Sequence, residues 1–103
     1  MVTKVGKISA EKLEAVAFIL KTIAHPARIA IIDMLKNGEE LPVGEICIKL
    51  GLEQSLTSHH LSNMKLKGIL ASRREGRNIF YFLKMKEVTG VIQCMESCES
   101  INL

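Results

Sequence analysis

Three cysteines supply the thiol chemistry of this chain: Cys47, Cys94 and Cys98. Cys94 and Cys98 are four residues apart, so a helix would place both sulfur atoms on one face. Two such thiolates, or four in a dimer, would hold a soft ion such as arsenite, cadmium or copper(I), and the same pair would support a reversible thiol-redox reaction. The alternative is that all three are small apolar packing residues. An odd number of cysteines argues against a disulfide framework. We expect that the fold itself requires no cofactor.

A run of hydroxyl, amide and imidazole side chains between residues 54 and 62 points to contacts with double-stranded DNA. A helical wheel of residues 54–67 places Leu56, His60, Leu61 and Met64 on one side, and Ser55, Ser58, His59 and Ser62 on the other. The first set is predicted to pack inside the protein. The second set contains no carboxylate, and its short side chains would let the helix enter the major groove. The predicted DNA-contacting residues of this segment are Gln54, Ser55, Thr57, Ser58, His59 and Ser62.

A basic hairpin is predicted directly after this helix. Residues 69–74 and 78–83 have strand-like sequences, and the glycine and asparagine between them are typical of a hairpin turn. Arg77 at the tip is predicted to contact the minor groove or the DNA backbone. Arg73 is a further predicted contact, although it alternates with Arg74 across the strand, and the pattern alone does not decide which of them faces DNA.

The distribution of charge supports this assignment more than the net charge of +3 does. Residues 54–86 carry seven Lys or Arg against one acid, Glu75, whereas residues 87–103 carry three acids and no base. The positive field therefore coincides with the segment that would contact a polyanion. The alternative is an ordinary solvated basic face.

The length and composition predict one small, mainly helical domain over residues 1–103. The chain is 48% apolar and only 4% aromatic, which suits packed helices. No apolar run approaches the roughly 20 residues that cross a bilayer, and the N-terminal segment lacks the apolar core of a signal peptide. We therefore expect a cytoplasmic protein with no membrane partner.

Capping and breaking residues divide the chain into elements. Ser9 is a candidate N-cap for a first helix, and Pro26 begins a second, apolar helix that Asn37-Gly38 ends. Two short helices follow, at 43–50 and 54–67, with Gly51 in the turn between them. After the hairpin at about 69–83, helical spacing returns at about 87–100. The predicted fold class is mainly α with a small β-hairpin, in the order ααααββα.

Residues 20–98 resemble the ArsR/SmtB family of winged helix-turn-helix transcriptional repressors. The matching segments are AHPARIAIIDML, VGEICIKLGLEQSLTSHHLSNMKLKGIL and SRREGRNIFYFL. The resemblance implies a homodimer joined by the first and last helices, which represses a near-palindromic operator and is released by an inducer. The two reading helices of such a dimer must lie about 34–36 Å apart, one turn of DNA.

The family's metal sites are only partly present in this chain. One family site has the pattern Glu-Leu-Cys-x-Cys on the first helix of the reading unit; here Cys47 matches, but Lys49 replaces the second thiol. A second family site lies on the last helix, where the aligned residues are Met85, Glu87, Cys98 and Ile101. The resemblance therefore leaves Cys94 and Cys98, with Cys47 in addition, as the candidates for a metal or redox signal.

Two other functions remain open at this point. The first is a winged-helix module that binds protein rather than DNA, for which an exposed Leu66 would be weak evidence. The second is an ArsR-like repressor with no metal or redox inducer. An enzyme is not expected, because the sequence has no Cys-x-x-Cys motif, no glycine-rich phosphate loop and no paired carboxylates in a plausible cleft.

Overall fold

Five α-helices, a two-stranded sheet and a three-stranded sheet make up the described part of the chain, and its helices and hairpin follow the predicted order. The computed structural model describes residues 4–6 and 8–101, so residues 1–3, 7, 102 and 103 of the predicted domain lie outside it. The helices are α1 (Ala10–Ile23), α2 (Pro26–Leu35), α3 (Val43–Leu50), α4 (Gln54–Leu66) and α5 (Val88–Glu96), with a short 3₁₀ helix at Glu99–Ile101. The strands are β1 (Lys4–Val5), β2 (Ile8–Ser9), β3 (Leu41–Pro42), β4 (Leu70–Glu75) and β5 (Asn78–Leu83).

The ends of the helices follow from local chemistry. The side chain of Ser9 accepts a hydrogen bond from the backbone N–H of Lys12, as an N-cap should. Pro26 occupies the first turn of α2, where its missing N–H costs nothing. Gly51 closes α3 in the left-handed conformation, with φ of 67°, and its N–H donates to the Cys47 carbonyl at 2.9 Å. This turn sets the direction in which α4 leaves α3.

The hairpin is part of a three-stranded antiparallel sheet with the order β3-β5-β4. Strands β4 and β5 pair from Leu70 opposite Leu83 to Glu75 opposite Asn78. Leu41–Pro42, which the sequence analysis assigned to no helix or strand, forms β3 and pairs with β5. The base of the hairpin is buried against the helices, whereas residues 73–79 project as an exposed wing.

The core is built around α2, which packs against α3, α4, α5 and β5. Its buried residues belong to a core that also contains side chains from the other helices and the sheet. The fully buried apolar side chains are Ile31, Ile32, Leu35, Ile46, Leu61, Met64, Ile69 and Leu70. The apolar second helix that the sequence predicts is therefore at the centre of the core. In the described part of the chain no single helix is long and apolar enough to cross a membrane; α1 and α2 together reach that length and composition, but they are bent by 99° at the break between them.

Candidate nucleic-acid interface

The outward side of α4 is a polar ridge. Ser55, His59 and Ser62 are exposed at helical spacing, Ser58 is half-buried beside them, and Gln54 is exposed at the start of the helix. None of the five carries a negative charge. A helix of this kind presents hydroxyl, amide and imidazole groups that donate to and accept from base edges and phosphates. The reading ridge is defined here as these five residues.

Two residues of α4 lie on the opposite side from the one predicted. Thr57, predicted to contact DNA, is completely buried, and its hydroxyl donates to the Glu53 carbonyl at 3.0 Å. It therefore has no access to DNA, and that prediction is wrong. Leu56, predicted to pack inside, is 49% exposed. Because the Thr57 hydroxyl is satisfied by the backbone, its methyl group packs at no polar cost, and the helix turns Leu56 outward.

The N-terminal end of α4 adds a further feature that suits a polyanion. Glu53 is in an extended conformation, and no side chain of the described residues caps this end of the helix. Backbone N–H groups in the first turn have no carbonyl partner within a helix, and the helix dipole gives this end a partial positive charge. A DNA phosphate is a suitable partner for such groups.

The wing carries three arginines in different environments. Arg73 forms ion pairs with Glu40 and Glu75, and its guanidinium lies 4.7 Å from the centre of the Phe80 ring. Hydrogen bonds to Glu75 and Glu40 raise the pKa of Arg73 above its usual range. Arg73 was one of the predicted DNA contacts, but these two carboxylates would compete with a DNA phosphate for its guanidinium. Arg74 and Arg77 are exposed, and neither has an ion pair within the described residues.

His60 is anchored inside the protein, as predicted from its position on the wheel. The Nε–H of Arg28 donates to His60 Nδ1 at 3.0 Å, and the His25 ring lies 4.5 Å from the His60 ring, centre to centre. Burial lowers the pKa of His60 below its usual range, and the neighbouring His25, Arg28 and His59 lower it further. His60 is therefore neutral near pH 7 and accepts the hydrogen bond from Arg28.

Arg28 and Asn63 were missed by the sequence analysis. Arg28 Nη1 donates to Asn63 Oδ1 at 2.9 Å and to the Thr22 carbonyl at 3.0 Å, so one guanidinium joins α1, α2 and α4. The signal available in the sequence was a single arginine in the first half of a mostly apolar helix whose only other charged residue is Asp33. A buried or half-buried charge of this kind needs a partner, although its identity is a matter of tertiary structure.

The cysteines do not share one helical face. Helix α5 ends at Glu96, so Cys94 is exposed on the helix whereas Cys98 lies beyond it. Cys98 Sγ is 3.0 Å from Ser100 Oγ, and hydrogen bonds from the Ser100 hydroxyl and backbone lower the pKa of the Cys98 thiol. Cys47 is half-buried on α3. Among the residues that the structure describes, no group of three or more His, Cys, Asp or Glu side chains is placed to hold a metal ion.

Comparison with known proteins agrees with this geometry. Residues 25–72 match the model of the bacterial regulatory protein, arsR family. The transcriptional repressor PagR of Bacillus anthracis is 38% identical over 89 residues, covering 86% of this chain and 89% of PagR. A structure of reduced HlyU from Vibrio cholerae N16961 has a TM-score of 0.77 at 32% identity, covering 86% of this chain and 95% of HlyU.

A further solved structure links this fold to a dimer. The homodimeric winged helix-turn-helix DNA-binding domain of Mb0332 from Mycobacterium bovis has a TM-score of 0.72 at 26% identity, covering 89% of this chain and 87% of that domain. The family and the named relatives are transcription regulators rather than enzymes, which confirms that expectation. The fold, the polar ridge and the sequence similarity over most of its length place this chain in the arsR family of bacterial regulatory proteins.

Proposed function

We propose that the chain is a homodimeric repressor that binds a near-palindromic operator through α4 and the wing and leaves it when its C-terminal thiols react. The observation that carries the DNA contact is the reading ridge, an exposed and acid-free row on the second helix of a helix-turn-helix. The exposed Arg74 and Arg77 extend it with positive charge on the wing. A protein that contacts DNA through these groups would act in the cytoplasm, where bacterial DNA lies.

The dimer is supported by apolar surface that one protomer leaves uncovered. Helix α1 has 14 residues, but only Thr22 and Ile23 are buried, and three of its large apolar side chains, Val16, Phe18 and Leu20, are exposed. A groove of about 670 Å³ lies between the end of α1, α2 and α5. Its lining is mostly apolar and includes Ile29, Val91 and Met95, together with the carboxylates of Asp33 and Glu96. A second copy placed on α1 and α5 would bury this dimer surface, as homodimeric Mb0332 suggests.

The DNA contact is tested by selecting duplexes from a randomised library with the purified protein. Because two-fold symmetry pairs the reading ridges, we expect enriched sequences with two inverted half-sites, about 10 base pairs from centre to centre. Single-base changes within a half-site are expected to cost about 1–3 kcal/mol each. Enrichment of single, unpaired half-sites would contradict the dimeric arrangement.

The alternative of a protein-binding module has one observation in its favour. Leu66 on α4 is 80% exposed and Ile48 on α3 is 82% exposed, so both apolar side chains are available for contact with a partner protein. The same selection separates the two functions. A protein-binding module would enrich no sequence, whereas a repressor would.

The thiol signal is proposed from the environment of Cys98. Hydrogen bonds from Ser100 favour its thiolate, which is the form that reacts with oxidants and binds soft ions. Cys94 is exposed four residues earlier, on the last turn and a half of α5. A change at Cys94 and Cys98 would alter α5 and hence the proposed dimer surface.

Serine substitution tests this signal. Oxidant, arsenite, cadmium and copper(I) are each added to the protein on its selected duplex, and dissociation is followed by gel shift. We expect Cys98→Ser to remove the response almost completely, because the stabilised thiolate is lost, and Cys94→Ser to reduce it. Cys47→Ser is the matched control and should respond like the unmodified chain. Release that persists in a Cys94→Ser, Cys98→Ser double variant would exclude these thiols as the sensor.

A further inference from the structure

The guanidinium of Arg28 joins three helices at one point. Its Nε–H donates to His60 Nδ1 at 3.0 Å, and its Nη1 donates to Asn63 Oδ1 at 2.9 Å and to the Thr22 carbonyl at 3.0 Å. The Thr22 carbonyl belongs to the last turn of α1, where carbonyl groups have no partner within the helix. Arg28 therefore satisfies an orphan acceptor of α1 and two acceptors of α4 at the same time.

The two acceptors on α4 fix how that helix is rotated. His60 and Asn63 are three residues apart, so they lie on neighbouring turns of one side of α4. A guanidinium is planar and its N–H groups have fixed directions, so two bonds from it to neighbouring turns define both the rotation and the height of the helix. The apolar contacts of Leu61 and Met64 bury the helix without such directional restraint.

We propose that Arg28 is the positioning residue of the reading helix: through His60 and Asn63 it holds α4 in the rotation that turns the reading ridge toward DNA, and through Thr22 it ties that rotation to α1. This inference rests on the proposed function, because it assumes that the reading ridge contacts DNA. Arg28 itself is half-buried on α2, and none of the residues that it bonds belongs to the reading ridge. Its effect on DNA binding is therefore indirect.

The protonation state of His60 is part of this arrangement. Arginine only donates hydrogen bonds, so His60 Nδ1 must be without a proton to accept from Arg28. The ionisable groups facing His60 are His25 and Arg28 from the start of α2 and His59 from α4 itself. All three disfavour a positive charge on His60. The bond is present above the lowered pKa of His60 and is lost as the pH falls through it.

A second imidazole in the cluster has a different task. His25 Nδ1 accepts the backbone N–H of Ala27 at 3.2 Å and so caps α2. That hydrogen bond lies at the start of α2 and does not reach α4. Asparagine is a good N-cap, so His25→Asn keeps the cap without the imidazole and separates the capping effect from the effect on α4.

The experiment measures affinity for a duplex selected by the unmodified protein from a randomised library, across a salt series and at two pH values. At about pH 7.5, where His60 is neutral, we expect Arg28→Met to weaken binding about tenfold or more. Because Arg28 releases no counterion from DNA, the slope of log affinity against log salt should stay unchanged. A DNA-contacting arginine would flatten that slope. Arg28→Lys should recover part of the affinity, since its single ammonium reaches fewer acceptors.

The pH series supplies a readout that a purely structural role would not change. Asparagine at position 60 keeps an acceptor where Nδ1 lies but has no proton to gain. As the pH falls from about 7.5 to about 5, we expect the DNA affinity of the unmodified protein to fall more than that of His60→Asn. The affinity of His25→Asn should fall as much as that of the unmodified protein. His59 is present in all of these variants, so it contributes equally to each side of the comparison.

Each outcome decides a different question. A dimeric, folded Arg28→Met protein that binds the duplex within about twofold of the unmodified chain would overturn the positioning role, since a tenfold change corresponds to about 1.4 kcal/mol. If Arg28→Met does not fold, the pH comparison decides instead: parallel profiles for His60→Asn and the unmodified protein would overturn it. Failure of the unmodified protein to select any duplex would contradict the proposed function itself.

Discussion

Leu20→Glu is expected to convert the protein from a dimer into monomers and to abolish specific DNA binding at concentrations where the unmodified chain is saturated. Leu20 is 44% exposed on α1 and lines the groove that also contains Val91 and Met95 of α5. A carboxylate buried there without a partner costs several kcal/mol, and symmetry places that cost in the interface twice. A monomer contacts only one half-site, so it loses the combined affinity of two linked contacts. Sedimentation and titration with the selected duplex measure the two effects.

The matched control for this change is Ile48→Glu. Ile48 is more exposed than Leu20, at 82%, and lies on α3, away from the groove. Both variants gain one negative charge, so the effect of that charge on solubility is the same in each. We expect it to remain dimeric. Circular dichroism is needed to show that the Leu20→Glu monomer is folded, and a folded Leu20→Glu protein that sediments as a dimer would contradict the assigned dimer surface.

Local sequence signals account for most of the architecture. Ser9, Pro26 and Gly51 each act within a few residues of their own position, by capping, beginning or ending a helix. Their effects are therefore visible without knowledge of the fold. The order of elements and the start of α4 follow from such signals. Helix α5 is the exception: it was predicted to reach about residue 100 but ends at Glu96, because the spacing of apolar residues does not mark where a helix stops.

Tertiary contacts account for the features that were wrong or missed. The helical wheel gave the right period for α4 but misplaced the boundary between its buried and exposed sides. A threonine whose hydroxyl bonds the Glu53 carbonyl packs inside as well as a leucine does. The pairing of Leu41–Pro42 with β5 joins segments nearly forty residues apart, and nothing in a two-residue segment predicts it. The partners of Arg28 lie 32 and 35 residues away on α4. Such contacts depend on how helices cross, which no local pattern contains.

Arg73 and Arg77 of the wing differ in a way that the hairpin sequence conceals. They are four residues apart on the same hairpin, and both are basic and exposed. The ion pairs with Glu40 and Glu75 and the contact with the Phe80 ring distinguish Arg73. Transferring Arg73 to a phosphate would require it to leave both carboxylates, whereas Arg77 exchanges only water and counterions. We therefore assign the phosphate contact to Arg77 and a supporting role at the base of the wing to Arg73.

Arg77→Ala tests that assignment and is expected to weaken binding to all duplexes by a similar factor. A phosphate contact carries no sequence information, so selected and unrelated duplexes should be affected alike. Each lost contact reduces the slope of log affinity against log salt by about 0.9, which amounts to roughly two units for the two wings of a dimer. Gln54→Ala, on the reading ridge, should instead reduce discrimination between the two duplexes with little change in the slope.

Arg73→Ala provides the comparison on the same hairpin. Because its charge is already neutralised by two carboxylates, its loss should change the salt slope much less than the loss of Arg77. Any loss of affinity should reflect a less rigid wing and appear equally at low and high salt. If Arg73→Ala flattens the slope and Arg77→Ala does not, then Arg73 exchanges its carboxylates for phosphate on binding, and the wing meets DNA through its β4 face rather than its tip.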